Sequence, residues 1–295
     1  MDSLVTGRCS GPILVANDYL GLPRAPETWL LRPLLPAGGA MLLYGDPKVG
    51  KSFAAIQLAL TLTGALSDNW LGFQLVQSGK VVYVQLDTPR SLWAERLETL
   101  KRAGLPIETL HLADRETLQA WPFDILRDDH AAMLQEALAR IEPIVVIIDT
   151  VRESHSGDEI DSTIMQHVVA RLTAAIQPAA MILIAHSRKQ TESGYSLIDD
   201  PRGSSYVAGK MDAIARMTKK GLHYTGRAIE EGHIKIDRDD HGFWLVVSDD
   251  FEAHIGVILH DPALKSLRAR ARVLAQRSGK SEEAARSYLR RLGED

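Results

Sequence analysis

Residues 45–52 have the sequence Gly-Asp-Pro-Lys-Val-Gly-Lys-Ser, which matches the phosphate-loop pattern G-x-x-x-x-G-K-[ST]. An apolar run precedes this loop and a helix-forming run follows it, which is the setting in which such loops bind phosphate. Lys51 is predicted to reach the β- and γ-phosphates of a nucleotide, and the Ser52 hydroxyl to ligate Mg²⁺. A structural glycine turn is the alternative. The predicted nucleotide-binding residues are Gly45, Asp46, Pro47, Lys48, Val49, Gly50, Lys51, Ser52 and Phe53.

Two carboxylates stand at the ends of apolar strand candidates. Asp149 ends the fourth candidate strand from the loop onward, where a carboxylate holds Mg²⁺ and its water beside the loop serine. Asp87 ends another strand candidate, which we expect to neighbour the phosphate loop, so its carboxylate could orient the water that attacks the γ-phosphate. A turn-capping role for Asp87 ahead of Thr88-Pro89 is the alternative, and Glu153 is the second candidate for activating the water.

His186 ends an apolar strand candidate and begins a long polar segment. A polar side chain at this point can sense the γ-phosphate and relay its loss to the loop behind it, although an ordinary hydrogen-bonded histidine would give the same pattern. The loop at residues 187–201 carries Arg188, Lys189 and Tyr195, a combination suited to phosphate pairing and base stacking with single-stranded DNA. A merely solvated loop is the alternative.

The elements that must position these residues alternate between strand and helix, which predicts an α/β fold with a mostly parallel, twisted sheet flanked by helices. The strand candidates are residues 40–44, 80–86, 109–112, 144–149 and 180–185. The helix candidates are residues 51–63, 91–103, 128–141, 161–176 and 204–210. Short segments then predict an antiparallel extension of the sheet, at residues 213–218, 222–227, 232–237 and 243–247.

Three regions are predicted along the chain: a loosely structured N-terminal arm at 1–35 that packs on the core, an ATPase core at 36–250, and a basic helical C-terminal tail at 251–295. Two helices are expected in the tail, at residues 263–277 and 282–292. Residues 265–291 hold nine basic side chains against two glutamates, a net charge of +7, which leaves −11 for the remaining chain. This asymmetry suits contact with phosphates, whereas packing on the core or on a neighbouring subunit is the default expectation.

Composition restricts the class of protein. The chain has 295 residues, 45% hydrophobic and 24% charged, which is ordinary for a globular protein with a real core. Cys9 is the single cysteine, so no intramolecular disulfide can form, and no cysteine–histidine cluster has zinc-site spacing. No secretory signal or bilayer-spanning run is found, and these features together predict a cytoplasmic protein without a membrane partner.

Six sequence segments together resemble those of RecA-type ATPases, and within them the hexameric, DnaB-like helicases, above all the plasmid RepA-type replicative helicases. The resemblance covers residues 35–245. Its marks are GDPKVGKS, YVQLDTP followed by Arg96, IIDTVRESH, IAHSRK, the run Arg202-Gly203-Ser204-Ser205, and residues 236–242.

The resemblance implies a RecA-like P-loop core that binds ATP and Mg²⁺, with Lys51 and Ser52 on phosphate and metal, Asp149 on the metal and His186 as γ-phosphate sensor. It implies that Asp87 occupies the place of the catalytic glutamate. Arg96 matches an arginine that contacts the nucleotide, and Arg238 a basic residue presented to the phosphates of a neighbouring subunit. The implied partners are further copies in a hexameric ring, single-stranded DNA, and replication or recombination proteins.

Two residues depart from the family pattern. Asp87 is one methylene shorter than glutamate, and because a misplacement of about 1 Å can cost about a hundredfold in rate, slow turnover is expected. Asp212 stands where RepA-type proteins have an arginine, which leaves Arg216 and Arg238 as candidates for the arginine acting across the interface. Three functions follow as hypotheses: a DNA helicase, a DNA-binding recombination mediator or regulator without unwinding activity, and a nucleotide-regulated signalling ATPase that does not bind DNA.

Overall fold

The computed structural model describes residues 13–22, 28–119, 122–187, 205–219, 221–239, 242–247, 258, 264, 266–278 and 281–291. The strands are β1 (Trp29–Arg32), β2 (Leu35–Pro36), β3 (Ala40–Gly45), β4 (Asn69–Trp70), β5 (Phe73–Leu75), β6 (Val81–Gln85), β7 (Leu110–Asp114), β8 (Val145–Asp149), β9 (Ala180–His186), β10 (Ala213–Met217), β11 (Gly221–Gly226), β12 (Gly232–Arg238) and β13 (Trp244–Val246). The helices are α1 (Ala16–Leu20), α2 (Lys51–Leu62), α3 (Arg90–Arg102), α4 (Asp128–Ile141), α5 (Ser162–Ile176), α6 (Ser205–Lys210), α7 (Leu267–Ser278) and α8 (Glu282–Arg291).

The main sheet has nine strands in the order β13-β12-β11-β10-β3-β9-β8-β6-β7. The pairs from β10 to β7 are all parallel, and the pairs from β10 to β13 are all antiparallel. The predicted α/β class, with a mostly parallel sheet and an antiparallel extension, is confirmed. The phosphate-loop strand β3 lies inside the sheet, between β9 and β10.

Alternation along the parallel strands produces two cores, one on each face of the sheet, because successive side chains of a strand point to opposite sides. In β3, Met41 and Leu43 pack on the face covered by α2 and α3, whereas Leu42 and Tyr44 pack on the face covered by α4, α5 and α6. The inner parallel strands β3, β9, β8 and β6 are therefore buried on both sides, and their carboxyl ends remain available for chemistry.

Register brings the predicted functional residues to one edge of the sheet. Gly45 of β3 is paired with His186 of β9, and Asp149 of β8 is paired with Ile184 of β9 and with Gln85 of β6. The carboxyl ends of parallel strands form the usual ligand crevice of open α/β sheets. The site is therefore expected where β3, β9, β8 and β6 end.

A second, four-stranded sheet in the order β2-β1-β5-β4 packs against the main domain. Trp29, Leu30 and Leu31 of β1 are buried, and Leu30 and Leu31 join the core on the α2 face. Within the described part of the arm predicted at residues 1–35, the structure has strand β1 and the first residue of β2, which the sequence did not predict, and their leucines pack on the core. These strands are two to four residues long, too short to show a hydrophobic period, and β5, the other partner of β1, comes from the distant segment at 73–75.

The C-terminal helices α7 and α8 contain a small core of their own, formed by Ala271, Leu274, Ala275, Ala285 and Leu289 with Ile258. Each of the two helices ends within two residues of its predicted last residue, whereas α7 begins four residues later than predicted. Among the helices of the described segments, none combines the length and apolar character needed to cross a bilayer.

Candidate nucleotide-binding site

The phosphate loop connects β3 to α2 through backbone that departs from ordinary strand and helix geometry. Lys48 has a φ of 65° and Gly50 a φ of 98°, a conformation that glycine adopts without the steric cost of a Cβ atom. A Cβ at position 50 would collide with the guanidinium of Arg238. Asp46 is held by the hydroxyl of Ser187, directly after β9. The loop is thus fixed from two sides.

Lys51 begins α2, and its side chain turns back into the loop. Its ammonium donates to the carbonyl oxygens of Gly45 and Asp46, both at 2.9 Å, and lies 3.2 Å from Nδ1 of His186. An ammonium group carries no lone pair, so Nδ1 accepts and the neutral imidazole holds its proton on Nε2. Two predicted site residues that are 135 positions apart in the sequence are therefore in direct contact.

Burial lowers the pKa of Lys51 to about 8, against the opposing effect of the carboxylates of Asp149, Asp46 and Asp87. Desolvation disfavours a charged amine, and nearby anions favour it. An anionic phosphate beside this ammonium would compensate its lost hydration. The electrostatics of Lys51 therefore fit a polyphosphate ligand.

Asp149 is a buried carboxylate held by hydrogen-bond donors. The Tyr83 hydroxyl donates to Oδ2 at 2.7 Å, the Gln85 amide lies 3.3 Å from the same oxygen, and the Ser52 hydroxyl also donates to the carboxylate. Burial raises the pKa of Asp149, while the hydrogen bonds from Tyr83 and Ser52 oppose that rise. Burial and the neighbouring Asp149 also raise the pKa of Tyr83 well above its usual value.

Ser52 and Asp149 together fit a Mg²⁺ site. A hydroxyl and a carboxylate are hard oxygen donors, and Mg²⁺ in nucleotide sites is held by one or two protein groups together with phosphate oxygens and water. Within the segments described, no cluster of three or more acidic, histidine or cysteine side chains could hold a metal without such outside ligands. A magnesium ion bound here would neutralise phosphate charge.

Asp87 follows β6, but this strand does not neighbour the phosphate loop as expected. β9 and β8 lie between β6 and β3, because the sheet order is fixed by long-range pairings. The carboxylate is exposed, yet its charge still acts on both Lys51 and Asp149. In the order of the strands, the strand of Asp149 therefore lies between Asp87 and the phosphate-loop strand.

The turn after β6 is held by Gln85, not by the Asp87 side chain. Oε1 of Gln85 accepts from the backbone N–H groups of Asp87 at 2.6 Å and Thr88 at 2.9 Å. The carboxylate of Glu153, the second candidate, is instead engaged by the guanidinium of Arg115. Of the two acids, Asp87 is the one whose side chain the turn leaves available.

Arg96 of α3 approaches the first turn of α2. Its Cζ lies 4.9 Å from the ring centroid of Phe53 and 5.5 Å from that of Trp93. Its Nη1 is buried and meets no hydrogen-bond partner within the described segments. A buried guanidinium nitrogen without an acceptor is costly, and a phosphate or base acceptor at this point would satisfy it.

Arg238 lies on the phosphate loop of its own chain. Its Nη2 donates to the Val49 carbonyl oxygen at 2.8 Å, and its Cζ stacks 4.6 Å from the Trp244 ring centroid. The expected presentation of Arg238 to the phosphates of a neighbouring subunit stays a prediction. The β12–β13 turn returns to α2, where Gln57 exchanges hydrogen bonds of 2.8 and 2.9 Å with the backbone of Trp244.

Sequence reasoning missed Tyr83 and Gln85 as the partners of Asp149. The available signal was a glutamine within the apolar run at 81–86, because residues 83, 85 and 87 share one side of the strand at a period of two. Gln57 and Trp244 were also missed. Their pairing joins segments almost two hundred residues apart, which no local pattern reveals.

Several other expectations can be located. Asp212, in the family's arginine position, accepts from the Ala40 backbone N–H at 2.8 Å and from Arg227 at 3.3 Å, so it anchors the start of β3. Arg216 lies on β10, in register with Tyr44. The predicted residues outside the described segments are Arg188, Lys189, Tyr195, Arg202, Gly203 and Ser204.

A solved structure and a protein family are similar to this chain. A KaiC-like protein of the hyperthermophilic archaeon Pyrococcus horikoshii OT3 superposes with a TM-score of 0.47 and 11% identity, over 74% of this chain and 93% of that chain. No curated protein matches the sequence. The model of the AAA_25 family, an AAA domain, matches residues 9–192, which is more than half of the chain and includes the loop, Asp149 and His186. The chain therefore belongs to the AAA_25 family of AAA domains.

Proposed function

We propose that this protein is a Mg-ATP-dependent ATPase acting on DNA, a RepA-type hexameric helicase that translocates on single-stranded DNA. The observation that carries the proposal is the contact of 3.2 Å between the Lys51 ammonium and Nδ1 of His186. His186 ends β9 and is followed directly by the long polar segment at 187–201. If a bound phosphate draws Lys51 away, His186 loses this hydrogen bond. The presence or absence of the γ-phosphate can thus alter the segment that follows His186, whose sequence suits contact with DNA.

Each site residue has a role in hydrolysis under this proposal. Lys51 binds the β- and γ-phosphates of ATP, and Ser52 and Asp149 hold the Mg²⁺ that neutralises phosphate charge. Asp87 orients the attacking water in line with the bond to be broken. Tyr83 and Gln85 keep the Asp149 carboxylate in place, as outer partners of a metal ligand do.

The proposed ring needs a positive charge delivered from a neighbouring subunit to stabilise the transition state. Arg238, which contacts Val49 and Trp244 of its own chain, and Arg216 of β10 are the two candidates for this role. Arg96 would contact the nucleotide within the same subunit, beside Phe53.

The assignment of Lys51 is tested by a Lys51→Ala variant. Hydrolysis should fall to background, because the loop loses the side-chain charge that the proposal places on the β- and γ-phosphates. The matched control is Lys101→Ala, which removes an exposed lysine from α3 and should leave turnover unchanged. ATP hydrolysis is measured with and without single-stranded DNA, and full activity in Lys51→Ala would refute the assignment.

A second function is favoured by one residue. Asp87 stands in place of glutamate, and a shorter carboxylate supports ATP as an assembly switch more readily than fast turnover. The protein would then be a recombination mediator or regulator that assembles on single-stranded DNA. ATP-dependent unwinding of a forked duplex favours the helicase, whereas ATP-dependent assembly on DNA without unwinding favours the mediator.

A further inference from the structure

We propose that the C-terminal helices α7 and α8 form a second nucleic-acid surface, which binds the phosphate backbone of duplex DNA without reading its sequence. The proposal rests on the proposed function for the choice of DNA as partner. It concerns a surface outside the nucleotide site, made by residues that hydrolysis does not use.

The charge of the pair is concentrated on accessible side chains. Arg268 and Arg272 of α7 and Arg290 of α8 are exposed. Arg268 and Arg272 are four residues apart, so they share a helix face. Within the described segments, no carboxylate or carbonyl group engages these three arginines. They are therefore available to phosphate.

Other arginines of the pair serve the fold instead. Nε of Arg270 donates to the Leu264 carbonyl oxygen at 3.0 Å, and Arg286 lies 3.9 Å from the Glu282 carboxylate. This contrast separates a structural group of arginines from the exposed group. The exposed arginines have no comparable internal role in the described segments.

The surface is held in a fixed position by two features. The small core of Ala271, Leu274, Ala285 and Leu289 joins the two helices. The Gln276 side chain of α7 donates to the Arg238 carbonyl oxygen at 2.9 Å, and Arg238 in turn holds the phosphate loop. The exposed arginines therefore project from a support that is attached to the ATPase core.

The chemistry of the surface favours duplex backbone over single strands, bases or lipid. Tyr288 packs on the small core, and the described part of the pair has no exposed aromatic ring on which unpaired bases could stack. Glu282 and Glu283 in the first turn of α8 oppose entry of that helix end into a groove. No large apolar side chain is exposed on the described part of the pair, which disfavours insertion into a membrane.

The test uses the full chain with Arg268, Arg272 and Arg290 all changed to Gln, and a charge-matched control with Lys101, Arg102 and Arg140 changed to Gln. All six side chains are exposed. Affinity for a blunt duplex and for single-stranded DNA is measured by fluorescence anisotropy over a salt series. The slope of log affinity against log salt for duplex should fall by about 0.9 for each arginine that contacts phosphate. The control should keep the parent slope.

The outcomes separate this proposal from the proposed function. Unchanged single-strand binding and ATP hydrolysis in the triple variant, together with the reduced duplex slope, support the surface. The proposal is overturned if the triple variant keeps the parent's salt slope for duplex DNA. It is also overturned if the parent does not bind duplex DNA and the triple variant instead loses binding to anionic vesicles. Absence of single-strand binding by the parent contradicts the proposed function and leaves the duplex result standing. Circular dichroism confirms that both variants fold.

Discussion

At the scale of single residues, the site is organised around a carboxylate that burial would otherwise neutralise. Burial raises the pKa of Asp149, and donors from Tyr83 and Ser52 oppose that rise. A carboxylate binds a metal in its ionised form, so these donors would preserve the form of Asp149 that the proposed Mg²⁺ site needs. Tyr83 therefore belongs to the site, because its hydroxyl holds the Asp149 carboxylate.

Replacing Tyr83 by Phe removes the hydroxyl at 2.7 Å from Asp149 and little else. The Mg²⁺ concentration needed for half-maximal ATP hydrolysis should rise about 10- to 100-fold, as is usual when an outer partner of a metal ligand is lost. The measurement is a Mg²⁺ titration of ATPase activity. Tyr224→Phe, whose ring packs on Phe73 away from the site, is the control. Equal Mg²⁺ dependence in both variants would contradict the role of Tyr83.

The exposed Asp87 side chain gives a second test at this scale. If its carboxylate is one methylene too short for the attacking water, Asp87→Glu should raise kcat, by up to about a hundredfold for a correction near 1 Å. Asp87→Asn, which keeps the size and removes the charge, should lower kcat instead. Single-turnover hydrolysis measures both. A lower rate in Asp87→Glu would show that the aspartate is already placed for its task.

At the scale of elements, the segment after β8 links Asp149 to a buried histidine. A 3₁₀ turn at Val151–Ser154 leads directly to His155, which is 4% exposed and whose ring nitrogens have, within the described segments, at most a weak interaction with the Gly157 backbone. Burial lowers the pKa of His155, and Arg152 lowers it further, whereas Asp124 and Glu159 act in the opposite direction. The folded segment therefore holds His155 in its neutral form.

This neutral histidine makes stability depend on pH. Its folded pKa is below the unfolded value of about 6.5, so the unfolded chain binds more protons, and stability present above that pH is lost as pH falls below it. The loss can reach about 1.4 kcal/mol per pH unit. His155→Leu should reduce the difference in unfolding free energy between pH 7 and pH 5.

Urea unfolding followed by circular dichroism at both pH values measures this difference. The matched control is His111→Leu, which removes an exposed histidine from β7 and should retain the parent's pH dependence. An undiminished pH dependence in His155→Leu would assign the effect to other groups.

At the scale of the whole molecule, the small sheet belongs to the core and is not an appendage. Leu31 of β1 is fully buried, pairs with Leu75 of β5, and packs in the same cluster as the interior of α2. The helix that begins at the phosphate loop is therefore supported by a segment that precedes it in the chain by about twenty residues.

Leu31→Ala tests this integration. The variant should lose about 2–5 kcal/mol of unfolding free energy, the usual cost of truncating a buried leucine. Leu92→Ala is the control, because Leu92 is 56% exposed on α3. Thermal and urea unfolding measure both variants. If the loss in Leu31→Ala were as small as in the control, the region before residue 36 would be a loosely attached arm after all.

The accuracy of the sequence predictions follows the range of the interactions involved. The helix at Asp128–Ile141 was predicted to the residue, because its period and its charged ends are local properties. The place of β6 was predicted wrongly, because the order of parallel strands depends on pairings across the whole domain. The contact of Arg238 with the phosphate loop of its own chain could not be predicted either, since Val49 and Arg238 are 189 positions apart in the sequence.

The sequence by itself determined the chemistry of this protein, because a phosphate loop needs a fixed order of glycines, a lysine and a serine within eight residues. It also determined the α/β class, because the alternation of strand and helix patterns depends on the spacing of apolar residues within short segments. Only the tertiary structure decided which side chains complete the site. Strand register brought Tyr83 and Gln85 to Asp149 and His186 to Lys51, and the returning β12–β13 turn brought Arg238 to the loop. Such contacts depend on how distant segments pair and pack, which no local pattern encodes.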